Sequence, residues 1–378
     1  MELNVKMTNQ VILNGISHLS ETLIDSKKVF LVCDSSFTYL NIKTDIENMG
    51  VPHVVFSDFS PNPVYEDVCK GIDLFQITKC DTLLAVGGGS AIDVAKCIKL
   101  AVLAKEGNNA ILPPLVNTRV ECDGTRLPFI AIPTTAGTGS ESTHNAVMYY
   151  DGSKQTVTND AILPDVAILE PSVLKTLPLY QKKCTMMDAL CQGIESWWSV
   201  NSTEESYEYS RKAINLIMAN WHKYIFENDE EAAANIMLGA NYGGRAINIT
   251  ATTAAHAMSY KITSLYNFPH GHAVAVCLPE IWQYMLEHPE KCIDKRGGTY
   301  LVGVFNEIVH SMGVDTPAEA IAVFRNMMKE MELFNPVSEH LPSDILLLSS
   351  SVNPIRLKNN PVGLDEGAIQ LLYNVIVK

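Results

Sequence analysis

The chain has 378 residues, 47% of them hydrophobic and 19% charged, with a formal net charge of −14. That length predicts two domains able to bury cores without covalent staples. The acidic balance, with no basic stripe to offset phosphate repulsion, excludes nucleic acid as the expected partner.

The N-terminus lacks a charged n-region and apolar h-region, and no run approaches ~20 apolar residues, so a cytoplasmic chain without a membrane span is expected. Nine scattered cysteines with no CxxC pairing fit reduced thiols. The first half alternates short apolar, β-rich runs with helical stretches. Lys28–Cys33, His53–Phe56, Asp81–Val86 and Phe129–Ile132 are the clearest strands, and their alternation with helices predicts a parallel sheet covered by helices.

Asp34 ends the first strand, where a carboxylate accepts bonds from an adenosine ribose and repels a 2′-phosphate. NAD(H) is therefore expected over NADP(H); the other reading is a turn aspartate opening Ser35-Ser36. After Val86 come Gly87-Gly88-Gly89-Ser90 and a helix from Ala91. This arrangement lets backbone approach a pyrophosphate at a helix N-terminus, although a glycine run also serves as a tight turn. A second loop, Pro133 to Ser140, adds hydroxyls and flexible backbone.

From about Tyr180 the β-rich runs vanish. A boundary near Pro178 gives a dinucleotide-binding α/β domain over residues 1–178 and an all-helical metal and substrate domain over 179–378. The helix Met187–Ser196 carries Asp188 and Gln192 four residues apart, on one face. Thr252 to Tyr260 reads as another helix, with His256 and Tyr260 at the same spacing, and Pro269-His270-Gly271 presents His270 from a turn. One carboxylate and two imidazoles suit a divalent ion such as Zn2+ or Fe2+ with a coordination position left open. Taken singly, an Asp or Gln on a helix face is ordinarily solvated, and a His after proline ordinarily binds backbone.

The stretches VGGGSAIDVAK (86–96), AIPTTAGTGSEST (131–143), LPDVAILEP (163–171), MDALCQGIES (187–196) and AHAMSYKITSLYNFPHG (255–271) resemble the successive signature blocks of the iron-containing, or group III, alcohol dehydrogenases. They stand in that family's order and at its spacing, over about residues 1–290. The resemblance implies a dehydroquinate synthase-like fold and a homo-oligomer. It implies a metal held at Asp188, position 192, His256 and His270, and a dinucleotide lined by Asp93, Thr134, Thr135, Thr138, Asn145 and Lys154. The chain departs from the family's histidines at Gln192 and Tyr260. A Gln amide is a neutral, weaker ligand than imidazole; the similar glycerol dehydrogenases manage with one Asp and two His.

The mechanism this implies is hydride transfer in an interdomain cleft to an aldehyde polarised by the metal, with Tyr260 as proton donor or as a packing residue. Gln192, Tyr260 and the run Gly244–Thr253 look like the branch containing phosphonoacetaldehyde reductases, which make 2-hydroxyethylphosphonate. Arg245, Asn248 and Thr252 recur at helical spacing, and Lys261 and His272 add positive charge, as recognition of a phosphonate dianion requires. Alternatively, Arg245 pairs with a surface acid and the threonines satisfy helix backbone. A general short-chain alcohol dehydrogenase, a dehydroquinate-synthase-like lyase and a metal-free descendant remain open readings.

Overall fold

The computed structural model describes residues 10–104, 121, 122 and 124–378. The chain divides into two compact units, Met1–Leu177 and Pro178–Lys378.

Among the described residues the first unit carries eight strands: β1 Val11–Asn14, β2 Val29–Cys33, β3 His53–Phe56, β4 Thr82–Gly87, β5 Phe129–Pro133, β6 Asn145–Tyr150, β7 Ser153–Thr158 and β8 Val166–Leu169. Its helices are α1 Leu19–Thr22, α2 Lys43–Glu47, α3 Tyr65–Thr78 and α4 Gly89–Leu103. Six strands form one sheet in the order β1-β8-β5-β4-β2-β3, every pairing parallel. Every residue of β2, β4 and β5 is buried, which is why these segments read as continuous apolar runs rather than as alternation. Phe30 anchors the core against Phe56 and Phe75, with ring centroids 6.1 and 5.3 Å away.

The four expected strands are present within one residue at each end. The sequence reading did not single out β1, β8 or the antiparallel hairpin β6–β7. The hairpin turns at Asp151 and Gly152, both with positive φ (47° and 68°), the Asp-Gly signature of a two-residue turn. Register decides function here. Cys33 lies opposite Val86 and Gly87 opposite Pro133, so the segments leaving β2, β4 and β5 emerge side by side.

The second unit comprises α5 Leu179–Trp198, α6 Glu204–His222, α7 Glu230–Thr250, α8 Ala254–Tyr266, α9 His270–Glu287, α10 Gly298–Ser311, α11 Pro317–Glu330, α12 Leu341–Ser350, α13 Pro354–Leu357 and α14 Glu366–Ile376. α5 is its axle: every residue from Met186 to Trp198 is buried, and α6, α7 and α9 pack around it. Trp198 stacks edge-on against Trp282 and donates Nε1–H to Thr253 Oγ1 at 2.9 Å. Thr203 and Asp229 cap α6 and α7. Among the described residues no helix is long and apolar enough to cross a membrane.

Two local expectations are corrected. The helix expected from Thr252 to Tyr260 is present but starts two residues later: α7 runs on to Thr250, Ala251 takes φ 54°, and α8 begins at Ala254. His270 is not a turn residue but the first residue of α9, after Pro269 at ψ 145°, because proline fixes an extended entry and the following residues are free to coil.

Candidate active site: a glycine-rich sheet edge and a buried carboxylate–imidazole cluster

In the first unit the glycines serve close packing. A Cβ on Gly87 would lie 2.6 Å from Ala91 Cβ and 3.2 Å from Asp34 Oδ2, and one on Gly89 would lie 3.1 Å from Thr138. Thr135 is the neighbour of Gly88, and Thr134 N–H donates to Gly87 O at 3.0 Å. Asp34, Gly87, Gly88, Gly89, Thr134, Thr135 and Thr138 are thereby gathered at the carboxyl ends of β2, β4 and β5, where α/β sheets bind ligands. Asp34 Oδ1 accepts from Ser36 N–H at 2.8 Å, so the turn role and the position beside Gly87 are both present. Ser90 Oγ accepts from Asn62 N–H at 3.2 Å.

Asp93 is turned to the protein. Its carboxylate accepts from Ser140 Oγ at 2.6 Å and from Val147 N–H at 3.0 Å. Beside it lies a residue the sequence reading missed, Lys96, whose side chain is fully buried. Lys96 Nζ donates to Ser140 Oγ, Thr143 Oγ1 and Asn145 O at 3.0, 2.9 and 2.7 Å. It therefore clamps the second loop to β6; Asn145 Oδ1 accepts from Thr158, and Lys154 sits on β7 opposite Tyr149.

Burial pulls the Lys96 ammonium down to about 8 from 10.5, against the opposing pull of Asp93 and Glu141. Lys96→Met should cost about 3 kcal/mol, because it leaves Asp93 without its cation. Between pH 8 and 10.5 the unfolded chain holds this proton and the native chain releases it, so the lysine's contribution rises with pH there. Urea unfolding of both proteins across that range should show a difference that grows with pH; a flat difference would contradict the burial.

In the second unit Asp188, His256 and His270 converge, with one ligand atom from each lying within 4.8 Å of the others. Three helices build this cluster: α5 supplies Asp188, α8 His256 and α9 His270. His256 Nε2 is 3.3 Å from Asp188 Oδ1, and the His256 and His270 rings are 5.4 Å apart. Glu195, which the sequence reading also missed, lies two helical turns beyond Asp188 and is fully buried. Its Oε2 pairs with His256 Nδ1, while Oε1 accepts from Thr253 N–H, Thr253 Oγ1, Ala255 N–H and His256 N–H at 3.1, 2.7, 3.0 and 3.3 Å.

Glu195 thus caps α8 and fixes the tautomer that turns Nε2 of His256 toward Asp188. Burial pulls the His256 pKa down, but Glu195 and Asp188 overcome it and raise it to about 9. A potential that holds a proton this firmly also favours a divalent ion. Donor chemistry, spacing and the outer carboxylate all fit one.

Gln192 is buried one turn after Asp188, with Oε1 3.3 Å from where a Gly243 Cβ would stand. Tyr260 stacks on His270, centroids 5.7 Å apart and planes 9° apart. Its Oη accepts from Arg356 Nη1 at 3.0 Å.

The residues expected to bind an anion are not assembled as the helical spacing suggested. Thr252 lies past the end of α7 and leaves the face of Arg245 and half-buried Asn248. Arg245 lies over the ring of Tyr209, 5.6 Å from its centroid, on the side of α7 away from Gly243. Lys261 is half-buried next to Tyr260 on α8. His272 does not supply positive charge: buried, stacked on Phe268 and bonded to Tyr180 Oη and Phe334 O, it has its pKa pushed down to about 4 by desolvation. Two residues along a helix place it well round from His270.

The iron-containing alcohol dehydrogenase profile matches residues 11–171, and that of the Fe-containing alcohol dehydrogenase family, C-terminal, matches 183–340. Long-chain-alcohol dehydrogenase 1 of Geobacillus thermodenitrificans is 32% identical over 69% of this chain and 67% of that protein. The phosphonoacetaldehyde reductase of Streptomyces viridochromogenes is 31% identical over 84% of this chain and 81% of that protein. A sulfoacetaldehyde reductase from Bifidobacterium kashiwanohense, solved in complex with NAD+, shares the fold at a TM-score of 0.85 and 22% identity, covering 100% of this chain and 99% of that one. A parallel α/β unit followed by a helical unit is the dehydroquinate synthase-like architecture. With both halves matched, the chain belongs to the iron-containing alcohol dehydrogenases, oxidoreductases that interconvert alcohols and aldehydes.

Proposed function

We propose that the chain reduces a short-chain aldehyde carrying an anionic group, phosphonoacetaldehyde foremost, to the alcohol with NADH, using Fe2+ or Zn2+ at Asp188, His256 and His270. The convergence of those three donors within 4.8 Å carries the reading. Three ligands suffice for a catalytic site with an open position; Gln192 stands beside the set as a neutral oxygen. The ion, when bound, supplies Lewis-acid polarisation of a carbonyl. Glu195 holds His256 in the required tautomer, and Asp188 supplies the compensating negative charge.

One aldehyde, one NADH and one proton give one alcohol and one NAD+. Tyr260 is the proposed donor of that proton to the developing alkoxide: its Oη already accepts from Arg356, which directs the phenolic proton elsewhere. Asp34, beside Gly87, supports NADH over NADPH through repulsion of a 2′-phosphate. The phosphonate rests on the likeness to the Streptomyces enzyme over most of both chains.

Chelator treatment should remove at least about 100-fold of the NADH-oxidising activity with every aldehyde, a loss of about 3 kcal/mol of barrier lowering. Added Fe2+ or Zn2+ should restore it in wild type but not in Asp188→Asn. Full turnover by metal-stripped enzyme would overturn the reading.

A further inference from the structure

We infer that Arg356 is the side chain that recognises the anionic end of the substrate, an inference that rests on the anionic-aldehyde reading above. Arg356 lies on α13, beyond the residues matched by the family's C-terminal profile, which ends at 340. Its Nη1 donates to Tyr260 Oη at 3.0 Å and its Cζ sits 5.1 Å from the centre of that ring. The same ring stacks on His270, a member of the ligand cluster. A guanidinium is thus held one aromatic side chain away from the candidate metal ligands.

The placement is built rather than incidental. Asn353 caps α13 by accepting from Ile355 N–H at 2.9 Å. The residues that follow are tied to the end of α5 and to the corner before α8: Val200 N–H donates to Asn359 O at 3.1 Å, Asn201 Nδ2 to Asn359 Oδ1 at 3.0 Å, and Asn359 Nδ2 to Thr252 O at 3.2 Å. Fully buried Asn360 closes the segment by donating to Val362 O at 2.8 Å. Those ties meet the chain where Glu195 holds Thr253, so one scaffold positions both His256 and Arg356. A planar fork suits a phosphonate, sulfonate or carboxylate, which takes two parallel N–H bonds, and a lysine does not reproduce it.

The test is calorimetric binding of phosphonoacetate, a phosphonate with no aldehyde to reduce, to metal-loaded, NAD+-saturated wild type, Arg356→Met and Arg356→Lys. Alongside it runs the ratio of kcat/KM for phosphonoacetaldehyde to that for propanal. The methionine variant should bind phosphonoacetate at least about 30-fold more weakly and lower the ratio by a similar factor, with the lysine variant in between. Should the methionine variant melt below wild type, the lysine variant decides. Unchanged phosphonoacetate binding in variants of a wild type that prefers the phosphonate would overturn the role of Arg356 alone. An equal fall for both aldehydes would also overturn it, by making Arg356 a support of Tyr260. A wild type that turns over propanal but neither binds phosphonoacetate nor prefers the phosphonate would overturn the anionic reading together with the role of Arg356. A wild type inactive on both aldehydes that still binds phosphonoacetate through Arg356 would sink the proposed reaction and leave the anion site standing.

Discussion

Gly271→Ala is expected to abolish metal binding and to destabilise the helical unit by about 3 kcal/mol. A Cβ at this position would lie 2.0 Å from the carbonyl oxygen of Cys184 and 2.8 Å from Asp188 Cβ. Cys184 O is a backbone atom one turn before Asp188 on α5, so no rotamer change relieves the clash. α9 would have to withdraw from α5, and with it His270, the adjacent residue. The one perturbation therefore separates two of the three candidate ligands. Metal content after dialysis and urea unfolding measure the two effects. An alanine variant that binds one equivalent of ion at wild-type stability would show that α5 and α9 do not approach this closely.

The second large effect is expected at Glu195. Replacing it with leucine removes the acceptor of four donors and the partner of His256 Nδ1. The backbone N–H groups at the start of α8 are then buried without an acceptor. We expect a loss of about 4 kcal/mol in stability, in the range for breaking a buried charged network. Metal affinity should fall by about 30-fold, the scale seen when an outer carboxylate is removed from a ligating histidine. Glu195→Gln should recover part of the stability, since one amide oxygen still accepts, but less of the affinity, since the neutral amide leaves His256 less basic. Competition against a chromophoric chelator reads the affinity. Equal metal affinity in all three proteins would mean that Glu195 merely caps the helix.

Which features were legible in the sequence follows from what each kind of residue advertises. The buried strands β2, β4 and β5 are short, largely apolar runs bounded by Gly, Pro or Asp, and both loops that follow β4 and β5 were readable from glycines and hydroxyls. Asp188, His256 and His270 were singled out because one carboxylate and two imidazoles suit a divalent ion and because their surroundings form recognisable blocks. Glu195 and Lys96 were missed for the opposite reason: a charged residue in a helical segment ordinarily faces water, and nothing local states that these two are fully buried. A usable signal existed for Glu195, which lies seven residues after Asp188 and hence on the same helix face.

The break between α7 and α8 carries neither Gly nor Pro. Only the threonines at 250, 252 and 253 mark it, and tertiary bonds to Glu195 and Ser196 decide where the helix stops. That break removed Thr252 from the expected anion-binding face. His272 shows the limit of proximity in sequence: two residues from His270, it is buried against Phe268 and neutral. Arg356 lies in a stretch where the sequence blocks give out, and only the folded chain brings it to Tyr260.

Metal-dependent reduction of an anionic aldehyde is tested by kcat/KM for NADH oxidation by enzyme loaded with Fe2+ or Zn2+, with phosphonoacetaldehyde against a neutral aldehyde of similar size. We expect a preference for the phosphonate of at least about 100-fold, the discrimination that follows when a charged group meets its partner in the site. Equal or reversed preference would contradict the anionic substrate and leave a general aldehyde reductase.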